Sequence, residues 1–152
     1  MYIKGRNILA FRRGNELLTT RWNLDELAMW LRDFVDNASE DPYPMEVDGT
    51  FAAEKDSNAK DFDSDDDVFD AYYDKLYEWN DRHRWHPASS GAILADVYFQ
   101  LVGENMEISW DNKELKYEDV EFLETMGGIS IPKDDFLSIM NEFLKAYADQ
   151  WY

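Results

Sequence analysis

Residues 92–111 read AILADVYFQLVGENMEISWD, and this stretch decides the fold because its apolar residues alternate with a more polar set. A period of two places successive side chains on opposite faces of a β-strand. The alternation breaks at Gly103 and resumes at Met106, so a turn separates two alternating runs. This pattern predicts an antiparallel β-hairpin.

Further strands are expected on both sides of this hairpin. A turn at Arg13–Glu16 lies between two short apolar runs and predicts a second hairpin near the N-terminus. Single strands are expected over 45–54, 117–123 and 129–131. Because strands that follow each other in sequence usually lie side by side, we expect them to form an antiparallel meander.

Three amphipathic helices are expected, because apolar residues recur at helical spacing in three segments. These segments are 24–38, 66–84 and the residues from Pro132 onward. Strands and helices in this order are typical of an α+β fold, here with a single layer of helices on one face of the sheet. A chain of 152 residues is long enough for one domain over 1–152 that buries its own core.

The protein is strongly acidic, with a formal net charge of −18 that is unevenly distributed. Residues 33–81 hold 17 acidic and 3 basic residues, a net charge of −14, whereas residues 1–32 hold 3 acidic and 6 basic residues, a net charge of +3. A field this negative repels nucleic acid and anionic lipid, and it attracts basic proteins or cations. We therefore expect a protein partner and no direct binding to nucleic acid or membrane.

The most acidic segment is also rich in aromatic residues. Residues 61–74 read DFDSDDDVFDAYYD, in which seven of fourteen residues are Asp and four are Phe or Tyr. A helix separates the two types in space, since residues advance by ~100° around its axis. The inward face is predicted to hold Phe69, Tyr72, Tyr73, Leu76, Trp79 and His83. The outward face is predicted to hold Asp67, Asp70, Asp74, Glu78 and Asp81, with Tyr77 at its border.

This outward face is the candidate partner-binding site. Exposed helix faces usually mix charge signs and gain from opposite pairs at i,i+4, but this face has almost no compensating Lys or Arg apart from Lys75. A surface of one sign is typical of proteins that steer a charged partner, although an ordinary solvated helix face is also charged. The candidate binding residues are Asp63, Asp65, Asp66, Asp67, Asp70, Asp74, Tyr77, Glu78 and Asp81, and the candidate aromatic anchors are Tyr43, Tyr73 and Tyr77.

A calcium loop is an alternative use for these carboxylates. Asp63, Asp65 and Asp67 copy the 1, 3, 5 ligand spacing of an EF-hand. Position 6 of that loop requires Gly and position 12 a bidentate Glu, but the chain has Val68 and Asp74 at these positions. Because both deciding positions differ, the sequence favours no specific calcium site, and we expect no cofactor.

Signatures of catalysis are missing from the sequence. It has no Cys, which excludes disulfides, thiolate metal sites and Cys nucleophiles, and it has no GxSxG, HExxH or Gly-rich phosphate loop. Of its two histidines, His83 falls on the apolar face of a helix, where a hydrogen-bonded, half-buried histidine is the usual case. We therefore predict that the protein is not an enzyme. A metal-dependent enzyme built on His83 and His86 is the least favoured alternative.

The chain carries no apolar run that would export it or anchor it in a membrane. Near the N-terminus the longest run is Ile8–Phe11, far shorter than the core of a signal peptide. A membrane-spanning helix needs about 18 consecutive apolar residues, and the sequence has no such run. We therefore expect a cytoplasmic protein.

One segment resembles a known family of proteins. Residues 63–112 read DSDDDVFDAYYDKLYEWNDRHRWHPASSGAILADVYFQLVGENMEISWDN, and they resemble the small acidic immunity proteins encoded beside bacterial polymorphic toxins, including those of contact-dependent growth inhibition systems. The size, the lack of Cys and the terminal amphipathic helix add to this resemblance. It implies a protein that binds and neutralises a cognate toxin C-terminal domain. Many such toxins are nucleases or other nucleic-acid enzymes with basic active surfaces. The alternative is a nucleic-acid mimic that inhibits a DNA-binding enzyme.

Overall fold

The computed structural model describes residues 1–19, 24–37, 41–59, 66–85, 95–113 and 119–149. Helices α1 to α4 run over Asp25–Asn37, Ala52–Ala59, Asp66–His83 and Lys133–Ala148. Strands β1 to β9 run over Tyr2–Ile3, Arg6–Asn7, Ala10–Arg13, Glu16–Thr19, Arg84–Trp85, Asp96–Val102, Asn105–Asp111, Val120–Phe122 and Met126–Pro132. The α+β class is confirmed, as are the three expected helices, which correspond to α1, α3 and α4.

A four-stranded antiparallel sheet in the order β5-β6-β7-β9 forms the centre of the fold. Its middle pair is the predicted hairpin, with Asp96 opposite Asp111 and Val102 opposite Asn105. Gly103 has a φ of +59° in the turn, a conformation that Gly adopts without strain. The short strand expected over 129–131 is longer in the structure, because β9 pairs along the whole length of β7.

Helices cover both faces of this sheet, so the expected single layer on one face is not confirmed. On one face, Phe99 of β6 packs against Phe34 of α1 and Phe136 of α4. On the other face, Tyr98 lies under Trp79 of α3, and α2 contacts β6, β7 and β9. The hairpin is therefore buried on both sides.

The more polar residues of the hairpin lie beneath α2 instead of facing solvent. Glu107 and Ser109 of β7 are both buried. The Ala52 amide donates a hydrogen bond of 2.7 Å to the Glu107 carboxylate, and the Ala53 amide donates one of 3.1 Å to Ser109 Oγ. The first amides of a helix have no partner within the helix, so the sheet provides the N-terminal cap of α2. Burial raises the pKa of Glu107, while the hydrogen bond from Ala52 opposes that rise.

The strand expected over 45–54 is wrong. Residues 45–51 form no strand, and α2 begins at Ala52. The side of α2 that faces the sheet is formed mainly by small residues, of which Ala53 and Ala59 are buried, and these let the helix approach the strands closely. An eight-residue helix with an inward side made mostly of alanines has weak apolar periodicity, so its sequence pattern does not indicate a helix.

A smaller antiparallel sheet in the order β4-β3-β8 lies beside the central one. The predicted N-terminal hairpin is confirmed, since Arg13 pairs with Glu16 at its turn. The strand expected over 117–123 appears as β8, but it pairs with β3 and not with β7, so the strands do not form one meander. Asn112 joins the end of β7 to this region, because its side-chain amide donates to the carbonyls of Ile8 and Glu124.

Replacing Ser109 by Ala should destabilise the fold, because it removes the acceptor for the Ala53 amide. A buried amide without a partner costs about 1–3 kcal/mol, and we expect the free energy of unfolding to fall by that amount. Urea denaturation followed by tryptophan fluorescence measures the change.

Ser130→Ala is the matched control, since Ser130 is exposed on β9. Its effect on the free energy of unfolding should stay within about 0.5 kcal/mol. If the free energy of unfolding falls equally in the Ser109→Ala and Ser130→Ala variants, the Ser109 hydroxyl has no capping role.

Candidate protein-binding surface

Helix α3 carries the candidate site and matches the helix expected over 66–84. Its inward face packs on the central sheet, where Trp79 is buried and stacks on His83 with ring centroids 4.5 Å apart. The indole N–H of Trp79 donates to the backbone carbonyl of Asp41 at 3.3 Å. These contacts fix the rotation of α3 about its axis and thereby decide which of its residues face solvent.

His83 belongs to the core beneath α3. It is fully buried, and its Nδ1 lies 2.9 Å from the backbone carbonyl oxygen of Phe99. Burial lowers the pKa of His83, although the hydrogen bond to Phe99 acts in the opposite direction. The expectation of a hydrogen-bonded histidine is confirmed, and its burial is deeper than expected. His86 lies outside the described residues, among which no cluster of three His, Asp or Glu side chains could hold a metal ion.

Four carboxylates form a line along the outward side of α3, and we call them the acidic strip: Asp70, Asp74, Glu78 and Asp81. All four are exposed. At 3.6 residues per turn they fall within a sector of roughly 80°. Within the described part of the chain, none of them forms an ion pair with Lys or Arg. The predicted outward face is therefore confirmed at these four positions.

The nearest basic residues of α3 lie at one edge of the acidic strip. Lys75 and Arg82 are exposed and fall beyond Glu78 around the helix axis. Arg82 is already paired, since its Nη2 lies 2.8 Å from Oδ2 of Asp41. Among the described residues, neither Lys75 nor Arg82 therefore forms an ion pair with the acidic strip, although both lie within one turn of Glu78.

Other predicted residues of the site fall where the structure gives no side-chain description. Asp63 and Asp65 lie outside the described residues. Asp66 and Asp67 belong to the first turn of α3, but their side chains are not described, and the same holds for Phe69. The alternative of a calcium loop depends on Asp63, Asp65 and Asp67, so it also lies outside the described side chains. The candidate site is therefore defined by the acidic strip and its neighbours.

Two tyrosines border the acidic strip on the side away from Lys75. Tyr77 is 71% exposed and Tyr73 57% exposed. The border position of Tyr77 is confirmed, whereas the expected inward position of Tyr73 is wrong. Tyr72 and Tyr73 differ by ~100° around the helix, and only Tyr72 lies within the half-buried side. Tyr43 is only 6% exposed, so the interpretation of Tyr43 as a partner anchor is also wrong.

A groove of about 420 Å³ opens beside these tyrosines. Its lining residues come from α1, α2, α3 and β5. They are Trp30, Asp56, Tyr73, Leu76, Tyr77, Asn80, Asp81 and Arg84. Because Asp81 belongs to both features, the acidic strip and the groove form one continuous surface. No sequence pattern indicates the groove, since four elements that are distant in sequence contribute to it.

Asp56 brings a buried carboxylate to the wall of the groove. It is 3% exposed, and it accepts hydrogen bonds from the hydroxyl of Tyr98 at 2.8 Å and from that of Tyr43 at 3.2 Å. Burial raises the pKa of both tyrosines, and the charge of Asp56 raises it further, so both phenols stay protonated and donate. Two phenol donors of this kind stabilise a carboxylate that is buried away from solvent.

Comparison with known proteins gives no relative from which a function could be transferred. No protein-family model matches the chain, and neither a curated protein nor a solved structure matches it. None of the helices in the described ranges has the length and apolar character needed to cross a bilayer. Function therefore has to be inferred from the surface formed by the acidic strip, the two tyrosines and the groove.

The stability of the protein should depend on pH through His83. The pKa of His83 in the folded state is lower than the value of about 6.5 in an unfolded chain. Its contribution to stability is therefore fully present above about pH 6.5 and is lost as the pH falls through the folded-state pKa. His83→Gln removes the titration but keeps a group that can donate to the Phe99 carbonyl.

We expect the melting temperature to fall more steeply for the wild type than for His83→Gln between about pH 7 and pH 5. Differential scanning calorimetry over this range gives both curves, and titrations common to the two proteins cancel in the comparison. If the melting temperatures of the two proteins change in parallel over the whole pH range, His83 is not the source of the pH dependence.

Proposed function

We propose that this protein is a non-enzymatic immunity protein that binds and neutralises the cognate toxin domain of a bacterial polymorphic toxin. The observation that carries the proposal is the acidic strip, which is exposed, of one sign and without ion pairs among the described residues. The net charge of −18 and the resemblance of residues 63–112 to such immunity proteins support it. The proposal includes a cytoplasmic location and a toxin domain with a basic surface.

The acidic strip is unfavourable for the isolated helix, which supports a role in binding. Asp70 with Asp74 and Asp74 with Glu78 are like-charged pairs at i,i+4, and each costs about 0.2–0.5 kcal/mol. Glu78 with Arg82 is the opposite-charge pair at this spacing, but Arg82 already binds Asp41. A helix that served only solubility would gain by alternating the sign of its charges at this spacing. Contact with a cationic surface replaces this repulsion by attraction across an interface.

The two exposed tyrosines supply what charge alone does not. Charge complementarity mainly raises the association rate, to around 10⁸ M⁻¹s⁻¹ at low ionic strength, and it prevents contact with wrong partners. Slow dissociation needs side chains that are desolvated in the complex, and Tyr is among the residues most enriched in this role. Tyr73 and Tyr77 lie beside the acidic strip, where a partner attracted by its charge would meet them.

The expected contact is larger than the acidic strip. A stable complex buries around 800 Å² on each partner, whereas the interval from Asp70 to Asp81 spans only about 17 Å of helix at 1.5 Å per residue. The groove beside Tyr77 is the natural extension of the contact. Bound in this way, the protein would block the toxin's site by occupying it and by screening its positive charge. In a nuclease that site would be the surface that holds the phosphate backbone.

Neutralising the acidic strip should slow association with the toxin. The triple variant Asp70→Asn, Asp74→Asn and Glu78→Gln removes three charges, and we expect the association rate constant to fall about tenfold and to depend less on ionic strength. Stopped-flow measurements at increasing salt concentration test this, with the C-terminal domain of any toxin encoded beside the gene as partner.

The matched control removes three charges elsewhere. The control variant carries Glu16→Gln, Glu121→Gln and Glu142→Gln. These three residues lie on β4, β8 and α4, and all of them are exposed. The association rate should change little in this control. Equal slowing in both triple variants would mean that net charge, and not the acidic strip, steers the toxin. Competition with duplex DNA for several unrelated DNA-binding proteins would instead favour a nucleic-acid mimic.

Tyr77→Ala should weaken the complex through dissociation. Truncating an anchor of an interface costs about 2 kcal/mol, which corresponds to a dissociation rate about 30-fold higher with little change in association. Surface plasmon resonance separates the two rates. Tyr2→Ala is the control, because Tyr2 is equally exposed, at 73%, but lies on β1. A dissociation rate unchanged by Tyr77→Ala would remove this residue from the interface.

A further inference from the structure

We propose that the groove beside the acidic strip is an arginine site, which takes the guanidinium group of one arginine from the basic partner. The identity of the partner rests on the proposed function, whereas the binding chemistry of the groove does not. A volume of about 420 Å³ lies in the lower part of the range for sites that bind small molecules and has room for one long side chain.

Aromatic rings provide the walls of this site. Trp30, Tyr73 and Tyr77 all line the groove. Trp30 is held by a stacked contact with Phe34, with ring centroids 5.0 Å apart and ring planes at 12°, so its orientation does not depend on a ligand. A guanidinium group is planar and weakly hydrated, and it stacks on aromatic faces. The ammonium group of lysine is strongly hydrated and cannot stack, so the walls favour arginine.

A carboxylate at the rim complements the rings. Asp81 is exposed at the rim of the groove and has no ion-pair partner in the described ranges. The planar guanidinium group can donate two parallel hydrogen bonds to a carboxylate, and such bonds are stronger than those between neutral groups. Asn80 also lines the groove, although its Oδ1 is buried and accepts no hydrogen bond from any described residue.

The charge of the groove favours a cation, even though Arg84 lines it. Nη1 of Arg84 lies 3.9 Å from Oδ2 of Asp96, and the buried carboxylate of Asp56 lies in the same groove. The charged residues that line the groove are Asp56, Asp81 and Arg84, with a net charge of −1, and Asp96 pairs with Arg84 from outside the lining. An anionic ligand would also meet the field of the adjacent acidic strip.

The test uses the whole protein without any toxin. The probe is N-acetyl-arginine amide, titrated while the indole N–H of Trp30 and the side-chain amide of Asn80 are followed by ¹H–¹⁵N NMR. We expect saturable shifts of both signals, with a dissociation constant on the order of 1 mM. N-acetyl-citrulline amide, an uncharged probe of the same shape, should cause no saturable shift. Equal shifts with the two probes, or no saturation with arginine, overturn the proposal.

Two variants separate the groove from general charge attraction. Asp81→Asn removes an acceptor of the groove and should weaken arginine binding about tenfold or more. Glu142→Gln removes the same charge from α4, outside both the groove and the acidic strip, and should leave binding within about twofold, since exposed charges at a distance are screened. Both positions are exposed, so both variants should fold. Equal weakening in the two variants also overturns the arginine site.

The outcomes for the groove and for the proposed function can be told apart. If arginine fails to bind but the variants of the acidic strip still slow association with the toxin, the groove is not an arginine site and the proposed function stands. If arginine binds in a saturable manner but the toxin is neither bound nor neutralised, the arginine site stands and the immunity function fails.

Discussion

The buried polar side of the β6–β7 hairpin is the constraint on which the rest of the structure depends. Glu107 and Ser109 can be buried only if they find hydrogen-bond partners, and the first amides of α2 are those partners. The sheet needs α2 to cover these groups, and α2 needs the sheet to cap its N-terminus. This mutual requirement fixes an eight-residue helix that would be too short to be stable alone.

The position of α2 in turn determines what α3 presents to solvent. Asp56 of α2 binds the hydroxyls of Tyr98 and Tyr43, and these two rings surround Trp79. Trp79 and His83 then lock the inward side of α3 against the sheet, which leaves the acidic strip facing outward. The buried hydrogen bonds therefore give an anionic surface its fixed geometry, and such preorganisation reduces the free-energy cost of ordering an interface on binding.

Sequence patterns predict the elements whose periodicity is strong and miss those that depend on distant partners. The hairpin, α1, α3 and α4 were predictable, because each places apolar residues at a constant spacing. Alternation alone could not show that the polar side of the hairpin is buried, since α2 at Ala52–Ala59 covers it and has weak periodicity itself. Charge spacing predicted the acidic strip. The exposure of Tyr73 and the groove depend on the rotation and packing of α3, which spacing does not determine.

We propose that a basic toxin domain docks on the surface formed by the acidic strip and its bordering tyrosines. The most direct test is NMR cross-saturation, in which the unlabelled toxin domain is irradiated and saturation is read at the amides of this protein. We expect saturation concentrated at Asp70–Asp81, and also at Trp30 and Arg84 beside them. Saturation centred on α4 or on the β3–β4 hairpin, with none at Asp70–Asp81, would contradict it.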